Sequence, residues 1–363
     1  MKILFLTNHL NIGGITSYVL TLSTGLKKLG HDVYLASSGG GLLPKFEEAG
    51  IEYIHIPILT KQELSPKIIL SRFKLSRALK GKNIDIVHSN SRTTQVLASI
   101  LGQPHVATCH GFFKPRLSRI FFPTWGDRVI AISEQVKEHL VNDLKVDDKK
   151  VVVVNNGIDT EKFKANDGMD KAAAKRSFGL RDAPVVGIVA RLSDVKGHIH
   201  LIEAMGLILK KYPAVQLLSF GDGKMKPELE KLAKELGLNR SVHFMTQAID
   251  TGVALSAMDL FVMPSLKEGL GLALMEAMAS GLAVIGSDVG GIKSLIRDGE
   301  TGLLVRPADP QGLAAAIIEL LNDPAKRKIL GESARIFIAE SFSQEKMCIA
   351  TERVYRECLY KEN

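Results

Sequence analysis

The stretch Asp259-Leu-Phe-Val-Met-Pro264-Ser-Leu-Lys-Glu268-Gly-Leu-Gly271-Leu-Ala-Leu-Met-Glu276-Ala-Met-Ala-Ser-Gly281 changes character twice. Its first five residues read as a short buried strand, which Pro264 ends. Glu268-Gly-Leu-Gly271 reads as a loop that its glycines keep open. From about Leu270 the composition is that of a helix, and Gly281 sits where a C′ glycine belongs. The pattern is therefore strand, glycine loop, helix. Glu268 stands just before the helix and Glu276 about a turn and a half inside it. Between them the free amides of the first turn and the positive end of the helix dipole form an anion site. At ~1.5 Å rise per residue the two carboxylates are roughly 10 Å apart. That is about the span from sugar to ribose in a nucleoside-diphosphate sugar, with the phosphates between.

The rest of the chain repeats this unit. Apolar runs of four to six residues alternate with helical patterns throughout, as parallel α/β architecture requires. Strands are expected near 3–6, 32–36, 53–56, 84–88, 106–108, 128–132 and 151–154. A second series is expected near 185–190, 215–220, 242–244, 260–263, 283–286 and 303–305. Between the series, Lys164–Arg181 is polar, rich in Ala and Lys, and reads as a linker. The chain of 363 residues is too long for one ordinary core. The fold class expected is α/β, with two Rossmann-like doubly wound parallel-sheet domains facing a central cleft. Their bounds are 1–165 plus a terminal helix at about 343–363, and 166–342.

Bulk composition excludes several classes. No apolar run approaches the ~18 residues that span a bilayer. The first strand is too short and too soon ended to be a signal peptide. Cys109, Cys348 and Cys358 have no metal-site spacing and leave an odd thiol, which suits a reducing cytoplasm. The net charge of +8 lies entirely in the first half: residues 1–165 hold 22 Lys/Arg against 14 Asp/Glu, and residues 166–363 hold 25 of each. A basic half beside a neutral one points to an anionic partner on one side, or to plain solubility.

Four further segments bear on a site. Asn8-His-Leu-Asn-Ile-Gly13-Gly14 joins the first strand to the first helix, and its glycines would let the backbone approach a phosphate or sugar. Thr108-Cys-His110-Gly111 ends a strand at the same edge. Cys109 points away from where His110 points, because adjacent strand residues face opposite ways. Val186-Gly-Ile-Val-Ala-Arg191-Leu-Ser-Asp-Val-Lys196-Gly197 brings two cations to the end of the second domain's first strand. Phe112-Phe-Lys114-Pro-Arg116-Leu-Ser-Arg119-Ile-Phe-Phe-Pro-Thr-Trp125 interleaves five aromatics with basic residues. That composition suits an amphipathic acceptor or an anionic membrane surface; no nucleic-acid module accompanies it. Lys67–Lys80 is helical in pattern but its apolar residues are not confined to one face, so it reads as a solvated outer helix ahead of a membrane-surface one.

Glu268-Gly-Leu-Gly-Leu-Ala-Leu-Met-Glu276 resembles the Glu-x7-Glu signature of retaining glycosyltransferases of family 4, or group 1, which have the GT-B fold. Gly-Gly-Ile before the first helix, Leu29-Gly-His-Asp-Val33, and the Arg191–Lys196 pair resemble the same family in the same order. Ser287-Asp-Val-Gly-Gly-Ile-Lys-Ser294 departs from the family's turn at Lys293 and Ser294, a departure that reads as peripheral. The resemblance implies transfer of a sugar, with retention, from a UDP- or GDP-sugar to a glycan or lipid-linked acceptor in cell-envelope synthesis. Arg191 and Lys196 would take the diphosphate, together with the backbone of Gly269, Leu270, Gly271 and Leu272. Gly13 and Gly14 would line the donor site, Glu276 would hold the ribose, and Glu268 and His110 would flank the sugar. Lys114, Arg116, Arg119 and Trp125 would meet the acceptor or membrane. No Asp-x-Asp signature stands near a strand end, so no divalent metal or other cofactor is expected. The expected location is cytoplasmic, at the inner face of the membrane if the basic half binds it. A sugar-nucleotide epimerase on the same fold, or a non-catalytic sugar-nucleotide-binding subunit, stay open as alternatives. The terminal helix is expected to cross back to the first domain.

Overall fold

The computed structural model describes residues 1–60, 62–63, 65–114, 122–164, 170–246 and 251–360. The chain forms two compact units, Met1–Gly157 with Gln344–Asn363, and Ile158–Ser343. The first boundary thus falls at Gly157 rather than at 165. Ile158 bridges to Ser343, and the helix Thr160–Lys164 packs on the helix Leu272–Ala279, which ties this stretch to the second unit.

The first unit is a parallel sheet of seven strands: β1 (Lys2–Leu6), β2 (Asp32–Ser37), β3 (Glu52–His55), β4 (Ile86–Ser89), β5 (His105–Cys109), β6 (Arg128–Ala131) and β7 (Val151–Val153). Their spatial order is β3-β2-β1-β4-β5-β6-β7. Because side chains alternate along a strand, β1 feeds two cores. Ile3 and Phe5 pack on one face with Tyr18, Leu22, Leu26 and Tyr355, while Leu4 and Leu6 pack on the other with Ile68, Leu75 and Leu97. Both faces are covered, which is why the strands are apolar runs instead of alternating ones.

The terminal helix Gln344–Leu359 lies on the helix Gly14–Lys28 of this first unit. The approach is close. A Cβ at Gly25 would overlap Cys348 Sγ, which is buried and whose thiol is pushed up to about 12 by that burial. Gly25→Val should therefore overpack the contact and lower stability by about 1–3 kcal/mol, read by urea denaturation. An unchanged midpoint would contradict this packing.

The second unit holds six parallel strands: β8 (Val185–Val189), β9 (Gln216–Phe220), β10 (Val242–Met245), β11 (Leu260–Met263), β12 (Val284–Ser287) and β13 (Leu303–Val305). Their order is β10-β9-β8-β11-β12-β13. The segment expected to be a linker is in part the helix Lys171–Ser177, packed into this unit; 165–169 lie outside the described residues. Lys171 and Lys175 ion-pair with Asp259 at 2.9 and 3.0 Å, and Val185 N–H donates to the same carboxylate at 2.9 Å. Burial pushes the Asp259 carboxyl up, but these partners outweigh it and hold the group below its ordinary value. Among the described residues no helix is long and apolar enough to cross a membrane.

Candidate active site

In doubly wound sheets the strand order reverses at one place, and the loops there part to leave a crevice at the strands' carboxyl ends. In the second unit that place lies between β8 and β11. The loop after β8 carries Arg191 and Lys196, and the loop after β11 carries Glu268. The two loops are fastened together: Leu266 N–H donates to Val195 O at 2.8 Å. Gly197 adopts φ 72°, and a Cβ there would overlap Pro264 O, so glycine alone allows the approach. As a result Lys196 Nζ ion-pairs with Glu268 Oε2 across 72 residues of sequence, both side chains being largely buried. Gly269 N–H donates to Glu268 Oε1 at 3.2 Å.

Gly271, at φ 97°, caps the helix Leu272–Ala279, and no side-chain hydrogen bond caps that end. The uncapped amides and dipole therefore remain available to an anion, with Lys196 nearby. Arg191 is exposed and makes no hydrogen bond or ion pair among the described residues. Glu276 is half-buried, the fifth residue of the helix.

Two glycine pairs brace this site. Gly290 and Gly291, read as peripheral, press on the backbone of Glu268–Leu270: Gly291 N–H donates to Glu268 O at 3.1 Å, and a Cβ at either would overlap the Glu268 or Gly269 carbonyl. Gly221 and Gly223 do the same for the Arg191 loop, where Leu192 N–H donates to Asp222 O at 2.9 Å. His198 was not singled out. It is buried beside Lys196 with neither ring nitrogen hydrogen-bonded among the described residues, and burial, then the Lys196 charge, pushes it down to about 4.

In the first unit the reversal lies between β1 and β4. The first loop is tied to the loop after β4: Asn8 Oδ1 accepts from Ser91 Oγ and Thr93 Oγ1, both at 2.7 Å. Gly13 is extended, with open space where a Cβ would be, so neither strain nor crowding demands glycine there. Gly14 opens the helix behind it, and that helix end also lacks a side-chain cap.

His110 follows β5. Its Nε2 lies 3.0 Å from Asn90 Oδ1, which can only accept, so Nε2 carries the proton and Nδ1 is left as an acceptor. Burial pushes His110 down to about 3, and it is a neutral imidazole at pH 7. Its ring meets Tyr18 edge-on at 4.7 Å. Tyr18 OH bonds Thr108 Oγ1 at 3.2 Å, Thr108 bonds His88 Nε2 at 2.6 Å, and His88 Nδ1 bonds Tyr355 OH at 2.5 Å. The terminal helix is thereby linked to His110 through buried polar groups. Tyr355→Phe leaves His88 short of a partner and should cost roughly 1–3 kcal/mol. A change in the environment of His110, read from its ring resonances by NMR, would show that the chain of contacts orients it. A variant that loses stability alone would limit Tyr355 to packing. Cys109 is buried, its Sγ directed to Gly111 O at 3.3 Å.

The residues expected to meet acceptor or membrane separate. Lys114 is exposed, whereas Arg116 and Arg119 lie outside the described residues. Trp125 is only 4% exposed and, with Ile15, Gln95 and Phe113, lines a partly open pocket of about 100 Å³. It is therefore a core residue and not an aromatic at a lipid boundary. Phe122, two residues beyond Ile120, is instead 72% exposed.

Two doubly wound α/β units, the second with two cations and an uncapped helix at its switch point, make up the protein. The sequence pattern of Glycosyltransferase Family 4 matches residues 12–162, and that of Glycosyl transferases group 1 matches residues 170–337. The chain belongs to this group of glycosyltransferases. It is 28% identical to the D-inositol 3-phosphate glycosyltransferase of Streptomyces scabiei, over 96% of this chain and 87% of that one. It is also 28% identical to the UDP-Gal:alpha-D-GlcNAc-diphosphoundecaprenol alpha-1,3-galactosyltransferase of Escherichia coli, over 86% and 85%. Among solved structures, Anabaena HepE in complex with UDP-glucose superposes with a TM-score of 0.84 over 98% of this chain and 99% of that one, at 22% identity, which speaks for the fold.

Proposed function

We propose that the protein transfers a sugar, with retention of configuration, from a nucleoside-diphosphate sugar to a hydroxyl of a glycan or lipid-linked acceptor of the cell envelope. The observation that carries this reading is the Lys196–Glu268 pair at the uncapped N-terminus of the helix Leu272–Ala279. The bond from the anomeric carbon to the diphosphate breaks, the bond to the acceptor oxygen forms, and the acceptor's proton leaves with the diphosphate. Charge grows on the departing diphosphate, so fixed cations and amides aimed there stabilise the transition state. Arg191, Lys196 and the amides of Gly269–Leu272 have that role, and no divalent metal is needed for it. Glu276 takes the ribose hydroxyls. Glu268 and the acceptor nitrogen of His110 take sugar hydroxyls; a neutral imidazole suits that task and not a phosphate. The UDP-galactose of the Escherichia coli relative and the UDP-glucose bound by HepE make UDP-sugars the first donors to try.

A thermal-shift screen of UDP- and GDP-sugars in EDTA tests this reading, since a bound donor stabilises by RT ln(1 + [L]/Kd), about 2.7 kcal/mol at a hundredfold excess over Kd. The expected result is a shift with one nucleotide family, and transfer only when acceptor is added. Turnover without acceptor would favour an epimerase, and dependence on Mg²⁺ or Mn²⁺ would overturn the metal-free site. Glu276→Gln should weaken free UDP or GDP, while Glu268→Gln should slow transfer with nucleotide affinity nearly kept. Equal losses of nucleotide affinity would refute the division of sugar and ribose between them.

A further inference from the structure

The helix Pro66–Ala78 has apolar residues on two opposite sides. Ile68, Ser71 and Leu75 are buried in the first unit. Ile69, Leu70 and Phe73 are 59%, 50% and 64% exposed. At about 100° per residue these three gather on the pole opposite the buried triad, with Arg77 among them and Lys74 and Lys67 at the flank. A helix that faces water puts its polar residues on that pole, so this one is inverted for a solvated surface. Exposed apolar residues also stand at its two flanks. Lys67 Nζ donates to the carbonyl of Leu59, itself 53% exposed, and Arg72 Nε donates to the carbonyl of Ile100, 39% exposed.

The charges around it are of one sign. Lys74, Arg77 and Lys80 are exposed, and their side chains make no hydrogen bond or ion pair among the described residues. Acids on adjoining elements are engaged elsewhere: Glu52 with Lys82 at 2.7 Å and Glu63 with Arg92 at 3.2 Å. A second copy docked here would set cation against cation. A nucleic acid would satisfy the charge but leave Phe73 and its neighbours in water. An anionic lipid surface satisfies both, taking the apolar pole at the headgroup boundary and the cations on its phosphates.

We propose that the outward face of the helix Pro66–Ala78, centred on Ile69, Leu70 and Phe73 and ringed by Lys74, Arg77 and Lys80, is the surface by which this protein binds an anionic membrane. The inference is independent of the sugar-transfer reading, and its test does not use donor or acceptor.

The test is co-sedimentation with vesicles of phosphatidylcholine and phosphatidylglycerol, and with vesicles of phosphatidylcholine alone. Binding is expected to the first only, falling as salt shortens the Debye length. Lys74→Glu with Arg77→Glu should weaken it at least ~30-fold, and Phe73→Ser about tenfold. All three positions are exposed, so melting temperature and UDP affinity should stay as in the wild type. Phe73→Trp gives a direct probe: its fluorescence should shift to the blue with the anionic vesicles, over a constant signal from buried Trp125. Equal binding to both vesicles, or binding to neither, overturns the proposal. A dimer in sedimentation equilibrium that Phe73→Ser dissociates would assign the face to self-association and overturn it also.

Discussion

Arg191→Ala is expected to lower turnover of the nucleotide sugar by about 10- to 150-fold with the melting temperature unchanged. A charge-assisted hydrogen bond to a phosphate is worth roughly 1.5–3 kcal/mol, and this side chain has no partner among the described residues to lose. Lys196→Ala should lower turnover by a similar factor but also weaken the fold, because it strips Glu268 of its cation in a largely buried position. The contrast is the useful part. A residue that only braces the fold would lose stability and activity together, and Arg191 should lose activity alone. Steady-state kinetics beside a melting curve decide it. Turnover within threefold of wild type in Arg191→Ala would remove that residue from the diphosphate site.

The second large effect is on stability. His105 and His198 are held down to about 4 and His110 to about 3, in each case chiefly by burial; His88 is lowered well below its ordinary value by the same cause. The sign follows from proton uptake. Below pH 6.5 the unfolded chain binds protons that the folded histidines refuse, so folding loses free energy as pH falls. Their contribution is complete above pH 6.5, and the loss grows until each folded-state value is passed. At pH 5 it is on the order of 2 kcal/mol for each such histidine. Denaturant unfolding at pH 7, 6 and 5 should show a fall of several kcal/mol, well before the carboxylates titrate. A flat profile across that window would mean that these imidazoles are solvated or charged in the folded protein.

Much of this was legible in the sequence because a parallel sheet buries both faces. Val185–Val189 or Leu260–Met263 can be read as strands without knowing their neighbours. That Lys196 and Glu268 lie just past strands of one sheet was legible as well; that the two side chains form an ion pair was not, since the sequence assigned one to the diphosphate and the other to the sugar. What depended on distant partners was not. Lys171 and Lys175 read as linker lysines because nothing local announces Asp259, more than eighty residues away. The importance of Gly290 and Gly291 lies in the Glu268 and Gly269 carbonyls they press on. Burial was the other hidden quantity. Composition put Trp125 at a surface, and only three-dimensional packing shows it inside. The network from Tyr355 to His110 joins four elements and has no sequence signature at all.

The central claim is that fixed protein charges and helix amides, with no metal ion, hold the donor's diphosphate. Titration calorimetry of UDP into wild type and into the Arg191→Ala, Lys196→Ala double variant, both in EDTA, addresses it directly. The account predicts binding to the wild type and an affinity about 10²–10⁴-fold lower in the double variant. Equal affinity in the two proteins, or no binding to the wild type until Mg²⁺ is restored, would contradict it.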